Sequence, residues 1–274
     1  MQIEARGLTF DVYEGGPPEG PAVLLLHGFP QDHREFELMA PRLHEAGLRT
    51  IALDQRGYSP GARPAALSDY RLSEPAADAI AVLDALGVRS AHVIGHDWGA
   101  QVGWMLAAHH PARVRTLTAV SVPHPRALRL ALRSRASQRA RFAYMAVFRS
   151  PVAERLLLAR EGAALRAMMR PIGPRAELYV EAMREPGRLT GGLNWYRALS
   201  GTELRHGGGV GVITVPTTYV WSDKDGIVTL TAALRTADWV EADYRLVAMK
   251  GVGHWIPEEA PAALAEAVLH RVGV

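Results

Sequence analysis

Short apolar runs and helical patterns alternate from the first residues of this chain, and that alternation constrains the fold more than any other feature. Strands are predicted at Gly7 to Val12, Ala22 to Leu26, Thr50 to Leu53, Ala91 to Ile94 and Val114 to Val120. Helical patterns lie between them near Phe36 to Ala46, Pro75 to Leu86 and Trp98 to His109. A βαβα rhythm of this kind demands a mainly parallel sheet covered by helices on both faces. From Arg126 to about His206 the chain turns helix-like, rich in Ala, Leu, Met and Arg, with little strand character. Alternation then resumes with Thr214 to Trp221, a helical segment from Thr229, a strand at Tyr244 to Met249 and a helix from Glu258 to Val272. We therefore expect an α/β core formed by residues 1–125 and 206–274, with 126–205 inserted as a helical cap. Such a cap would cover the strand ends, where ligands bind in open α/β folds.

Composition narrows the functional classes. The chain has 274 residues and 48% hydrophobic content, ample for a buried core. The start, MQIEARGLTF, lacks a basic region followed by an apolar run, and no stretch approaches the roughly 18 apolar residues of a membrane span. The expectation is a cytoplasmic chain with no membrane partner. Without cysteine there is no thiolate nucleophile, disulfide or cysteine metal site. Net charge is +3, yet residues 126 to 205 hold 16 Arg against 6 acids, leaving 15 Lys plus Arg against 22 acids elsewhere. Those arginines are spread among alanines and leucines with no recognition motif, so they read as a solvated helical surface, and nucleic acid is not an expected partner.

Residues 93 to 100 read VIGHDWGA. A strand-like run enters a Gly-x-x-x-Gly turn and a helical segment leaves it, the outline of a nucleophile elbow. Asp97 stands where such elbows usually carry serine. A carboxylate that attacks saturated carbon forms an alkyl ester, which water can cleave at the aspartate's own carbonyl; serine would form an inert ether. The residue therefore points to displacement at sp³ carbon followed by ester hydrolysis, chemistry that needs a general base and an oxyanion hole.

In such hydrolases the chain order is nucleophile, acid, histidine. No Asp or Glu occurs between Asp97 and Glu154, so the acid must come late. WSDKDGIV, after the strand ending at Trp221, offers Asp223 and Asp225, and Asp225 is preferred because it lies deeper in the turn. Two histidines follow: His254 in the glycine-rich GVGHW loop, and His270 among helix formers, expected at the surface. Asp225 would orient His254, which would activate water. The strand ending in a His-Gly turn within LLLHGFP (24 to 30) suggests the Phe29 N–H group, with that of Trp98 after the nucleophile, as the oxyanion hole. His27 and His96 read as loop ties rather than proton carriers.

Together, HGFP (27 to 30), DQRGYS (54 to 59), GHDWGA (95 to 100), VPHP (122 to 125), GGLNWYRAL (191 to 199), DKDGIV (223 to 228) and GHWIP (253 to 257) resemble the soluble epoxide hydrolases of the α/β-hydrolase superfamily. The resemblance covers nearly the whole chain. It implies an α/β-hydrolase fold with a cap, no metal or organic cofactor, and a small epoxide with water as partners. It also implies two cap tyrosines that activate the epoxide oxygen: Tyr196 within NWYR matches the motif directly, Tyr144 by a looser local alignment, with Tyr179 a weaker substitute. Phe29, Trp98, Phe142, Met145, Trp195 and Trp255 are the expected pocket residues, with Trp104 and Met168 as further candidates. GHDWG is shared with haloalkane dehalogenases, so dehalogenation stays as the alternative, weakened by Phe29 at the third position of HGxP. A non-catalytic binding homologue is the remaining reading. Oligomeric state is not legible.

Overall fold

The computed structural model describes residues 1–199 and 209–274. Among the described residues, eight strands form one sheet: β1 (Gln2–Ala5), β2 (Leu8–Gly15), β3 (Ala22–Leu26), β4 (Arg49–Leu53), β5 (Ala91–His96), β6 (Val114–Val120), β7 (Thr217–Ser222) and β8 (Tyr244–Met249). Their order is β1-β2-β4-β3-β5-β6-β7-β8. β2 runs antiparallel to β1 and β4, while the other neighbours pair in parallel.

The central strands are continuous apolar runs because both their faces are covered. In β3 every residue is buried, and successive side chains enter opposite layers. Val23 and Leu25 join Ile94, Val120 and Val220 beneath Leu43, Leu264 and Val268 of α1 (Ala40–Glu45) and the final helix (Pro261–Val272). Leu24 and Leu26 join Ile51 and Val93 on the other face, against Val82 of α2 (Ser73–Ala85) and Leu106 of α3 (Trp98–His109). Register is therefore fixed, since a one-residue slip would exchange the two cores.

Several boundaries differ from the sequence expectation. β1 was not foreseen: QIEA pairs with β2 across a tight turn in which Arg6 and Gly7 both take positive φ. β2 begins one residue later than expected and runs on to Gly15. β7 starts at Thr217 rather than Thr214, because Pro216 has no N–H to donate and offers only its carbonyl, which accepts from Leu117 N. Of the helical pattern at Phe36 to Ala46, His33–Phe36 forms a 3₁₀ turn and α begins at Ala40. The last pattern splits into Ile256–Glu259 and Pro261–Val272, since Pro261 cannot continue a helix but suits the first turn of the next.

Between β6 and β7 the described residues form helices: α4 (Pro125–Ser134), α5 (Ala136–Arg141), α6 (Tyr144–Phe148), α7 (Ala153–Met168, interrupted at Ala159 to Gly162), α8 (Ala176–Met183) and α9 (Arg188–Ala198), with a 3₁₀ segment at Arg170–Arg175. The expected return to the core at 205/206 lies outside the described residues. Among the described residues no helix is long and apolar enough to cross a membrane.

Candidate active site

Asp97 sits at the tip of the turn from β5 into α3 with φ 51° and ψ −114°, a conformation L-residues rarely adopt. Such strain, of order 1–3 kcal/mol, persists only where the surroundings enforce it. The enforcing contacts are backbone on backbone. A Cβ on Gly99 would lie 1.8 Å from the Leu26 carbonyl oxygen, and one on Gly95 would lie 2.1 Å from that of Gly99. The Gly-x-x-x-Gly spacing thus lets α3 leave the sheet hard against β3, which lifts the Asp97 carboxylate above the strand ends. Gly28 makes room for it, because a Cβ there would meet the Asp97 Cβ at 2.5 Å.

Three segments far apart in sequence converge on that carboxylate. From the turn after β3, Phe29 N–H donates to Asp97 Oδ1 at 3.0 Å. From the loop after β8, His254 Nε2 lies 3.6 Å from Asp97 Oδ2, and its Nδ1 donates to Asp225 Oδ2 at 3.0 Å. From the turn after β7, Asp225 is held in turn, its Oδ1 accepting from Ile227 N at 2.6 Å and Val228 N at 3.0 Å. Asp223, the other candidate acid, is exposed and accepts from Gly251 N. His270 is exposed on the final helix, as expected.

Electrostatics follow from burial and from this geometry. Burial works against a charged imidazole, but Asp225 first and then Asp97 outweigh it, so His254 is pushed up to about 10. Burial likewise works against an ionised Asp97, and the His254 contact outweighs it, holding Asp97 below the usual carboxylate range. The resting site is a cation between two carboxylates.

His27 and His96 are structural ties. His27 Nε2 accepts from Gln55 N at 3.0 Å, and burial lowers its basicity. His96 Nε2 lies 3.0 Å from the His254 carbonyl, which can only accept, so that nitrogen carries the hydrogen. Its Nδ1, 3.1 Å from Glu35 Oε2, is then the acceptor. Burial, then Glu258 and Asp97, push Glu35 well above its ordinary value, and burial holds His96 at about 4. The pair is neutral, with Glu35 the donor. Ser121 Oγ adds a second hydrogen bond to the His254 carbonyl at 2.7 Å. Glu35 carries no sequence motif, and its burial beneath the elbow could not be read from the chain.

Above Asp97 opens a pocket of about 760 Å³, its mouth included. Asp97, Trp98, Gln101, Leu72 and Ile227 line it, together with Leu128, Leu132, Phe142, Tyr144, Met145 and Tyr196 from the segment between β6 and β7. The two phenols face the same space, with ring centroids 6.2 Å apart. Burial and then the Asp97 charge push both hydroxyls up, so each stays protonated and able to donate. Trp98, Phe142 and Met145 were expected here. Phe29 instead backs Tyr196 edge-on, with centroids 5.4 Å apart. Trp195 and Trp255 turn away, donating to the Arg56 carbonyl at 2.9 Å and the Met168 carbonyl at 3.2 Å. Trp104 is fully buried against the Val122 carbonyl, and Tyr179 donates to Glu258. A buried indole N–H usually finds an acceptor, and Trp104, Trp195 and Trp255 each point theirs at a backbone carbonyl. Leu128 and Leu132 were missed, although their i, i+4 spacing within PRALRLALRS was a visible signal.

Among the described residues, Asp32, His33 and Asp54 are close enough to hold a cation. Arg34 and Arg188 already donate to Asp32 at 2.6 to 2.8 Å, so cationic side chains fill that role.

The family model describing the alpha/beta hydrolase fold matches residues 21–261, and this chain belongs to that family. Within it the chain belongs to the epoxide hydrolases: it is 31% identical to Epoxide hydrolase A of Mycobacterium tuberculosis, across 97% of this chain and 95% of that protein. It is 32% identical to the AB hydrolase superfamily protein YfhM of Bacillus subtilis over the same shares. Among solved structures, Epoxide Hydrolase A from Mycobacterium thermoresistibile superposes with a TM-score of 0.83 at 27% identity, covering 100% of this chain and 97% of that one.

Proposed function

We propose that this chain hydrolyses an epoxide to a vicinal diol through an alkyl ester on Asp97. One observation carries the reading: a buried, ionised carboxylate and two protonated phenols share one largely apolar pocket, with a histidine–aspartate pair behind the carboxylate. An opening oxirane leaves as an alkoxide, too basic to depart unaided, and Tyr144 and Tyr196 supply the donors it needs. A halide, being a good leaving group, would not require them.

Asp97 attacks one ring carbon while the phenols hold the oxygen. The alkoxide takes up a proton, and the ion-pair proton of His254 balances it, because esterification removes the Asp97 charge that helped to hold that proton. His254 is then neutral, still oriented by Asp225, and becomes the base for water. Hydroxide adds to the ester carbonyl, and the oxyanion is met by the N–H groups of Phe29 and Trp98, the latter opening α3 where first-turn donors lack helix partners. Collapse returns Asp97 as carboxylate, leaves His254 protonated and releases the diol.

We further propose 126–205 as a cap over a core of 1–125 and 206–274. In support, Leu128, Phe142, Tyr144, Met145 and Tyr196 reach the pocket from α4, α6, α9 and the turn after α5. Their apolar character favours aryl or alkyl epoxides over polar ones. Steady-state turnover of wild type and Asp97→Ala on terminal and aryl epoxides, bromoalkanes and fluoroacetate tests this, with diol and halide scored separately. Diol formation that vanishes in the variant is expected; halide release without diol would replace this reading with dehalogenation.

A further inference from the structure

Helix α5 presents an anomaly. Of its residues, ASQRAR, Gln138 alone is buried, with no exposed surface at all, and it is a polar side chain. Buried amides persist where their hydrogen bonds are made, and every bond Gln138 makes goes to one turn. Its Nε2 donates to the Ile227 carbonyl at 2.7 Å, and its Oε1 accepts from Thr229 N at 3.0 Å and Thr229 Oγ1 at 2.8 Å. Three residues on, Arg141 Nη1 donates to the Asp225 carbonyl at 2.5 Å and the Val228 carbonyl at 3.0 Å. Two side chains from the inserted helices thus grip residues 225 to 229. The same turn supplies the N–H groups of Ile227 and Val228 that fix the Asp225 carboxylate.

We propose that Gln138 and Arg141 are positioning residues: they hold the 225–229 turn in the one shape that aims Asp225 at His254 Nδ1. This rests on the hydrolase reading for its kinetic consequence, but the structural consequence is independent of it. A turn held only by core strands would be indifferent to the position of the cap, whereas this one is tied to it through Gln138 and Arg141. Ile227 also lines the pocket. The same residue therefore touches the substrate space, donates to Asp225 and accepts from Gln138, so a misplaced cap and a misaimed acid become one event. Phe142 and Tyr144, which follow α5, line the same pocket and would move with it.

The groups facing His254 are Asp225, Asp97, the His96 ring at 5.2 Å and the Trp255 ring at 5.2 Å. Neither Gln138 nor Arg141 is among them; Gln138→Ala changes no charge, and loss of the Arg141 cation would by itself raise the proton affinity of His254, so a fall in either variant reports the aim of Asp225. The test is a titration of His254 by ¹⁵N NMR in histidine-labelled wild type, Gln138→Ala, Arg141→Met and Arg141→Lys, with Asp225→Asn as the limit and thermal unfolding to confirm folding. Loss of the grip should cut the proton affinity of His254 about tenfold or more, one pH unit on its midpoint, in Gln138→Ala and Arg141→Met. Arg141→Lys, which keeps one donor, should recover part of it. With styrene oxide in a rapid-quench experiment, hydrolysis of the alkyl-enzyme should slow tenfold or more while alkylation changes less than threefold. His254 midpoints equal to wild type in folded Gln138→Ala and Arg141→Met would overturn the proposal. Absence of any alkyl-enzyme in wild type would instead fail the hydrolase reading and leave the titration to decide this one.

Discussion

Replacing His254 by glutamine should separate the two halves of the reaction and make the first half pH-dependent. In the native site the imidazolium lies 3.6 Å from Asp97 Oδ2. At an effective dielectric of about 20, a unit charge pair at that distance is worth about 4 to 5 kcal/mol. At about 1.4 kcal/mol per unit, that is at most about three pH units of support for the ionised carboxylate. Glutamine removes this support and leaves the 3.0 Å bond from Phe29 N. Burial, which already opposes ionisation of Asp97, then dominates. The carboxylate should move up from below its ordinary range toward neutrality. Alkylation by His254→Gln should run within about tenfold of wild type at pH 8 and fall roughly tenfold per unit once pH drops below the new value. Wild-type alkylation should be flat over pH 6 to 8. Because no base remains, the ester should persist, and rapid-quench intact-mass spectra should show a stoichiometric adduct of enzyme plus epoxide. An adduct that forms at a pH-independent rate, or that clears as fast as in wild type, would refute the reasoning.

Loss of either phenol should be felt before the ester forms. On the proposed mechanism, Tyr196→Phe removes one hydrogen bond to a developing alkoxide, worth about 1.5 to 3 kcal/mol. Single-turnover alkylation should therefore slow about 10- to 100-fold, with ester hydrolysis nearly unchanged; Tyr144→Phe should behave alike. Gly99→Ala would drive a methyl into the Leu26 carbonyl, so a loss of about 3 kcal/mol or more, or failure to fold, is expected in a denaturant titration. Folded-state pH dependence carries the sign of a raised histidine. His254 binds its proton more tightly folded, at about 10, than unfolded. Its contribution is thus complete below about pH 6.5 and is lost as pH rises toward 10. Between pH 7 and 10 the Tm of wild type should fall further than that of Asp225→Asn.

The convergence of Asp97, His254 and Asp225 was more legible in the sequence than the pocket, for a physical reason. Asp97, Asp225 and His254 sit on turns directly after strands, and a turn has few ways to present a side chain, so position in the chain nearly determines position in space. The place of Tyr196 in the pocket was legible only by resemblance, since nothing in its spacing separates a pocket-facing phenol from a packing one. Pocket residues come from helices whose rotation is set by tertiary packing. Trp195 and Trp255 were expected to face the ligand, yet their N–H groups donate to the Arg56 and Met168 carbonyls and neither ring lines the pocket. The β1 strand escaped notice because QIEA, although it alternates polar and apolar, is only four residues long, and its turn uses Arg6 at positive φ where Asn or Gly would have been the signal. Glu35 and Gln138 were invisible for the converse reason: each is a polar residue in a polar-looking segment, and only the fold buries it.

The covalent role of Asp97 is the claim on which the rest depends, and a single turnover in H₂¹⁸O tests it most directly. With enzyme in excess over epoxide, the proposed mechanism takes the oxygen delivered to carbon from the Asp97 carboxylate. The first diol should therefore carry no label, and the peptide containing Asp97 should gain one ¹⁸O. A labelled diol beside an unlabelled Asp97 peptide would mean that water attacks the ring directly, and the carboxylate mechanism would be wrong.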